Sequence, residues 1–296
     1  MLAGIRRGRG SGVRLKPGSQ FPLILMSGML SRVRAGLSAV FSTAPREIPP
    51  LPGSVPLHRS YILLNSPTPP SAFPSRYNTK LQRALQAQAS NWGGIVNFAH
   101  TGYLSGSEDR TSITAFSAVG GSASFPNISL ETVDDIARQL MFHSMRQPPP
   151  PTSLSGIQPP AYSIQHADEL HLYVCTHGAR DCRCGDMGGK VFQALEEELD
   201  RRRRAEPLGP AKGVFVGQVG HVGGHVYAAN ILVFPHGDWL GLVTPDDVPS
   251  VLDAILSTER RPLTATDPAI SPRFWRGRMG LTKKEQISLH SQSETK

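Results

Sequence analysis

The chain has 296 residues, 39% of them hydrophobic and 18% charged, with 29 Gly and 26 Pro; that is room for one large or two small domains rich in loops and turns. Its net charge of +8 does not mark a nucleic-acid face, because Arg6, Arg7, Arg9, Arg14, Lys16, Arg32, Arg34 and Arg46 supply all of the excess within an acid-free segment, and the remaining bases balance 23 acids. Three cysteines are too few, and an odd count, for a disulfide scaffold.

The Arg-rich, Ser-containing, acid-free N-terminus has the composition of a mitochondrial transit peptide. Residues 1–50 are read as that presequence, disordered, ending near the Pro-rich run IPPLPGSVP. This places the protein in mitochondria, in the matrix rather than the intermembrane space. A secretory signal on the apolar run FPLILM (21–26) is the rival; it is short, contains Pro22 and starts late. No stretch approaches the ~20 apolar residues of a membrane span.

Residues 57–146 read as a smaller mixed α/β region. Tyr61–Leu64 suits a short strand, and Thr79 caps a helix through Ala89. Gly94–Ala99 and Ile113–Ala118 look like strands bounded by Gly, Ser and Asn. Val133, Ile136, Ala137, Leu140 and Met141 follow the i, i+3, i+4 stripe of an amphipathic helix. His100, His143 and the Glu108–Asp109 pair read as surface or packing residues. No internal repeat is visible. A Pro-rich linker, QPPPPTSLSGIQPP (147–160), follows.

Residues 165–260 are more legible. Leu170–Thr176 is a strand, and Gly188–Gly189 are read as preceding a helix through about Arg204 with Val191, Leu195 and Leu199 buried. Gly213–Val219 is the next strand. Asn230–Phe234 and Trp239–Val243 form a hairpin across PHGD, and Thr244-Pro245-Asp246-Asp247 opens a helix. The order βαβ–ββα is that of a thioredoxin-like fold, an α/β architecture. Residues 261–296 read as a C-terminal tail, polar apart from Phe274, Trp275 and Leu281.

Four residues carry chemistry here: Cys175 and Cys184 in CTHGARDCRCG, and His221 and His225 in GHVGGH. In a right-handed βαβ unit both strands end on one sheet edge, which brings the four together where α/β sheets place ligands. Cys184 is expected in the strand–helix loop, and Gly223–Gly224 make the His pair a loop rather than a helical face. Two thiols and two imidazoles suit zinc, or an iron–sulfur cluster in which two His replace two Cys. The eight-residue gap after Cys175 departs from the short C-x(2–4)-C of structural zinc. Three readings stand: a cluster protein, a zinc-stabilised interaction module, and a thiol–disulfide oxidoreductase using Cys182 or Cys184. No C-x-x-C opens the helix, which weakens the third.

On CTHGARDCRCG, GHVGGHVYAANILVFP with WLGLVTPDD, WRGRMGLTKKEQ and YILLNSPTPPSAFPS, bracketing roughly residues 60–285, the chain resembles the sucrase/ferredoxin-like family. The resemblance implies a thioredoxin-like ferredoxin domain holding one [2Fe–2S] cluster through Cys175, Cys184, His221 and His225. It implies an electron-transfer protein with a redox protein partner rather than an enzyme with its own substrate. The His pair would share one iron. Two thiolates on the oxidised core leave no net charge, which raises the potential above that of four-thiolate ferredoxins. Cys182 is an extra thiol without a role, and the function of the WRG segment (275–277) is not readable.

Overall fold

The computed structural model describes residues 48–102, 111–147, 163–164 and 169–294. Of the presequence reading (1–50), residues 1–47 lie outside the described residues, as do the Glu108–Asp109 pair and all of the linker reading (147–160) but Gln147.

The first half contains β1 (Ser60–Asn65), α1 (Lys80–Ala89), β2 (Gly94–His100), β3 (Thr111–Ser117), β4 (Gly121–Ile128) and α2 (Val133–Ser144). A two-residue strand, β5 (Ser163–Ile164), follows. The second half contains β6 (Leu170–Cys175), α3 (Cys182–Ala205), β7 (Val214–Val219), β8 (Ile231–Phe234), β9 (Asp238–Leu240) and α4 (Val248–Leu256). It is followed by β10 (Trp275–Arg278) and α5 (Lys283–Glu294). All ten strands form one mixed sheet in the order β10-β9-β8-β6-β7-β2-β1-β3-β4-β5.

Local chemistry explains most of these elements. The Thr79 hydroxyl accepts the Gln82 amide and starts α1, as its position before an apolar stripe predicts. Thr244 and Asp247 form a reciprocal capping box ahead of α4. Strands β1 and β6 are buried along their whole length, as strands covered on both faces are. One face of β6 gives Leu170, Leu172 and Val174 to a core with Val191, Leu195 and Leu199 of α3 and Val251, Leu252 and Ile255 of α4. Each such side chain contributes about 1.5–3 kcal/mol by leaving water. The first half builds a matching core from Ile62, Leu64, Leu81, Leu85, Ile136 and Leu140. On the opposite sheet face a third cluster, including Tyr61, Phe116, Tyr173, Cys175, Phe234 and Trp239, draws on both halves.

The fold contains a repeat that the residues conceal. Each half has βαβ–ββα order, and the strand orders β2-β1-β3-β4 and β7-β6-β8-β9 coincide. In both halves the first two strands are parallel and the last two form an antiparallel hairpin. This is the thioredoxin-like arrangement, present twice. Asn65 lies opposite Ala99 in the first half as Cys175 lies opposite Val219 in the second. Ala99 and Val219 then pair with each other across the antiparallel β2–β7 seam, a pseudo-twofold centre. Because β2 and β7 overlap only at their C-terminal ends, the C-terminal strand edge of each half faces the seam.

Residues 261–294 pack against this body. Phe274, Trp275 and Leu281 are buried, and so are Arg276 and Arg278, which composition alone reads as polar tail. Arg278 makes a fully buried ion pair with Asp238 (Nε–Oδ1 2.5 Å, Nη2–Oδ2 2.9 Å) and donates to the carbonyls of Thr264, Asp267 and Pro268. Every donor of that guanidinium is used, which makes burial of its charge tolerable.

Candidate functional site

Cys175 closes β6 and is fully buried, because its strand lies in the centre of the sheet. Its amide donates to Asn230 O at 3.0 Å. Cys184 is buried on the first turn of α3, not in a loop. The helix begins at Cys182 rather than after Gly189 because Asp181 caps it, accepting the Arg183 amide at 3.1 Å. The glycines inside the helix serve close approach instead. A Cβ on Gly188 would lie 2.1 Å from Cys175 O, and one on Gly185 would lie 2.7 Å from the Cα of Gly178. Backbone thus crosses backbone where the first loop, β6 and α3 meet.

His221 follows β7 by two residues, and Gly223 and Gly224 have positive φ (82° and 66°), so the turn is a loop as its sequence indicates. The Cys175 and Cys184 sulfurs and a His221 ring nitrogen all lie within 4.8 Å of one another. Cys184 Sγ and His221 Nδ1 are 4.0 Å apart. His225 stands outside this group. Its ring centroid is 5.8 Å from that of His221, and its Nδ1 lies 3.7 Å from Asp181 Oδ2. Cys182 is exposed and also outside it.

The electrostatics favour a negatively charged sulfur. Cys184 donates to Cys175, and His221 and the backbone at Val222 and His177 add to it, which holds the Cys175 thiol well below its ordinary value. The same contact and burial push Cys184 up, so the pair shares one proton. Asp181 is held down to about 2, first by the Arg183 guanidinium, and carries a full charge beside His225.

Two features were hidden in the sequence. Asn97 of the first half donates to Gly220 O (3.2 Å), and Phe98 O accepts the Gly220 amide (2.9 Å), so β2 buttresses the His221 turn. A groove of about 370 Å³ opens along the seam beside His221, with Phe73, Tyr77, Arg76, His177 and Arg180 in its walls. The pseudo-symmetry also explains why one half alone carries the group. The positions equivalent to Cys175, Cys184 and His221 are Asn65, Gln82 and Thr101, none of them a soft ligand.

The donor set fits a soft or borderline metal group: two buried thiols, an imidazole at the same point, amides facing one sulfur, and a second imidazole within a short reach. Asp181 fits the carboxylate that orients a ligating imidazole.

The family model described as sucrase/ferredoxin-like matches residues 51–277. Altered inheritance of mitochondria protein 32 of Meyerozyma guilliermondii is 42% identical over 92 residues, 30% of either chain. Actin patches distal protein 1 of Saccharomyces cerevisiae is 34% identical over 99 residues, 31% of either chain. These matches therefore span under a third of the curated relatives. A thioredoxin-like [2Fe–2S] ferredoxin from Aquifex aeolicus aligns at a TM-score of 0.29 and 19% identity, covering 37% of this chain and 92% of that one. Among the described residues no helix is long and apolar enough to cross a membrane.

Proposed function

The chain belongs to the sucrase/ferredoxin-like family, and on that footing we propose that it is a one-electron carrier in which Cys175, Cys184, His221 and His225 hold one [2Fe–2S] cluster. The observation that carries this reading is the convergence of two buried thiols and the half-buried His221 imidazole at the end of β6 and β7. When bound, such a cluster supplies reversible one-electron exchange.

The chain's own residues have separable tasks in that reading. Cys175 offers a sulfur already stabilised as thiolate by its neighbours. Cys184 presents its sulfur from the positive end of α3, which favours negative charge. His221 is fixed from behind by Asn97 and borders the seam groove, the open approach for a redox protein partner. His225 completes the set, and Asp181 orients its ring. Two imidazoles in place of two thiolates make the site less negative and raise its potential.

A mitochondrial location is supported by the names of the relatives and by the composition of residues 1–46. Fractionation of cells expressing the full chain tests it: matrix recovery is expected, and exclusion from mitochondria refutes it. Metal content of the chain purified without oxygen tests the cofactor. About two irons per chain with visible absorbance is the expected result. One zinc in a colourless protein would instead establish a structural zinc module.

A further inference from the structure

The WRG segment places a buried cation directly behind the site. Trp275 pairs with Leu240 and Gly277 with Trp239, so Arg276 falls at a register shift between them. Such a bulge re-aims a side chain out of the ladder. Arg276 is 1% exposed. Its Nη1 donates to Asn230 Oδ1 (2.7 Å) and Gly223 O (3.3 Å), its Nε to Ser54 Oγ (3.1 Å) and its Nη2 to Ser54 O (3.2 Å). Its Cζ lies 4.8 Å from the Tyr227 ring centroid.

Among the described residues no carboxylate reaches Arg276, in contrast to Arg278 two positions on, which is paired with Asp238. A buried guanidinium without an acid is costly unless other negative charge is nearby. Asn230, which Arg276 holds, accepts the Cys175 amide through its backbone and donates to Gly224 O. A Cβ on Gly224 would lie 2.3 Å from Arg276 Nη2. The second glycine of the GHVGGH turn is therefore the space into which the guanidinium fits. One connected set of bonds runs from the Cys175 backbone through Asn230 and Arg276 to the turn between His221 and His225.

We propose that Arg276 is a positioning residue and the internal counter-cation of the thiol site: it locks the His221–His225 turn through Gly223 O and offsets the negative charge of the two sulfurs and whatever electron they help to hold. Burial pushes the Arg276 guanidinium down to about 10, while Tyr227, Cys175 and Cys184 act to keep it charged. The charge half of the proposal rests on the cluster reading; the positional half does not.

The test compares full-chain Arg276→Lys and Arg276→Gln with the native protein. Iron-replete protein is titrated for its midpoint potential, and metal-free protein is followed by amide hydrogen exchange over residues 222–225. Arg276→Gln is expected to shift the potential negative, whereas Arg276→Lys, which keeps the charge, leaves it near the native value. Both variants are expected to exchange the turn amides faster, since neither reproduces the guanidinium fork. If Arg276→Gln does not fold, Arg276→Lys still reads both halves, as an unshifted potential with faster exchange. A native potential in folded Arg276→Gln, or an equal negative shift in both variants, overturns the counter-cation. Native-like exchange in both overturns the positional role. A native chain that takes up no iron overturns the cluster reading and the charge half with it, a result that iron content reports separately from either variant.

Discussion

Gly188 and Gly189 are neighbours in one helix, yet alanine should act on them with opposite sign. At Gly189 a Cβ meets nothing within 4 Å. Alanine there gains the helix-propensity difference, about 0.5–1 kcal/mol. At Gly188 the Cβ would lie 2.1 Å from Cys175 O and 3.1 Å from Cys175 C. Ordinary contact needs more than an ångström of retreat, and the obstacle is backbone at the end of a central strand, not a flexible side chain. Overpacking of this kind costs roughly 1–3 kcal/mol and can exceed that where backbone must move. The propensity gain offsets less than half of the upper figure. Gly188→Ala should therefore be destabilised by about 1–2 kcal/mol and Gly189→Ala stabilised by about 0.5–1 kcal/mol. Urea unfolding of the two variants, read as midpoint shifts at constant slope, measures the difference. If the proposed cluster is held, Gly188→Ala should also bind less iron, because the retreat displaces Cys175, while Gly189→Ala keeps the native content. Equal stability in the two variants would refute the close crossing of α3 and β6.

Three further outcomes concern polar groups, Asp238 and His58 buried and Asn97 half-buried. Asp238→Asn leaves the Arg278 guanidinium buried against a neutral side chain and should cost about 3–5 kcal/mol in thermal or urea unfolding. His58 is buried, its Nδ1 bonded to Pro56 O at 2.8 Å, and burial lowers it to about 4. Because the folded value lies below the unfolded one, His58 leaves stability intact above pH 6.5 and removes it as pH falls toward 4, by about 3 kcal/mol in all. Urea titrations from pH 8 to 4 should show this slope reduced by about 1.4 kcal/mol per pH unit in His58→Gln. Asn97→Leu removes the bond to Gly220 O from across the seam and should cost about 1–2 kcal/mol, with faster exchange at His221 and unaltered exchange in β4.

Apolar runs and caps made much of the fold legible: β1, β6, α1, α2 and the α4 capping box stand where Val, Ile, Leu and the Thr79 and Thr244 hydroxyls place them. The start of α3 was not legible, because CRCGDMGG carries three glycines that local propensity assigns to a loop. Tertiary contact reverses that, since Gly185 and Gly188 are small where backbones cross. The buried charges were hidden for a related reason: Arg276, Arg278 and Asp238 are hydrophilic by type, and only their partners make them core. The repeat was hidden because equivalent positions share geometry and not chemistry, as Asn65 against Cys175 shows. The thiols and His221 were legible as a group because strand ends in a βαβ unit share an edge, whereas the position of His225 depends on a turn whose glycines permit several paths.

In the proposed cluster one iron takes both thiolates and the other both imidazoles. A Mössbauer spectrum of the full chain, loaded with isotopically enriched iron and kept free of oxygen, tests it directly. Two doublets of equal area, the larger isomer shift belonging to the imidazole-bound iron, are expected from a site in which His221 and His225 share one metal. A single doublet, or no iron at all in a folded chain, would rule out that division of ligands.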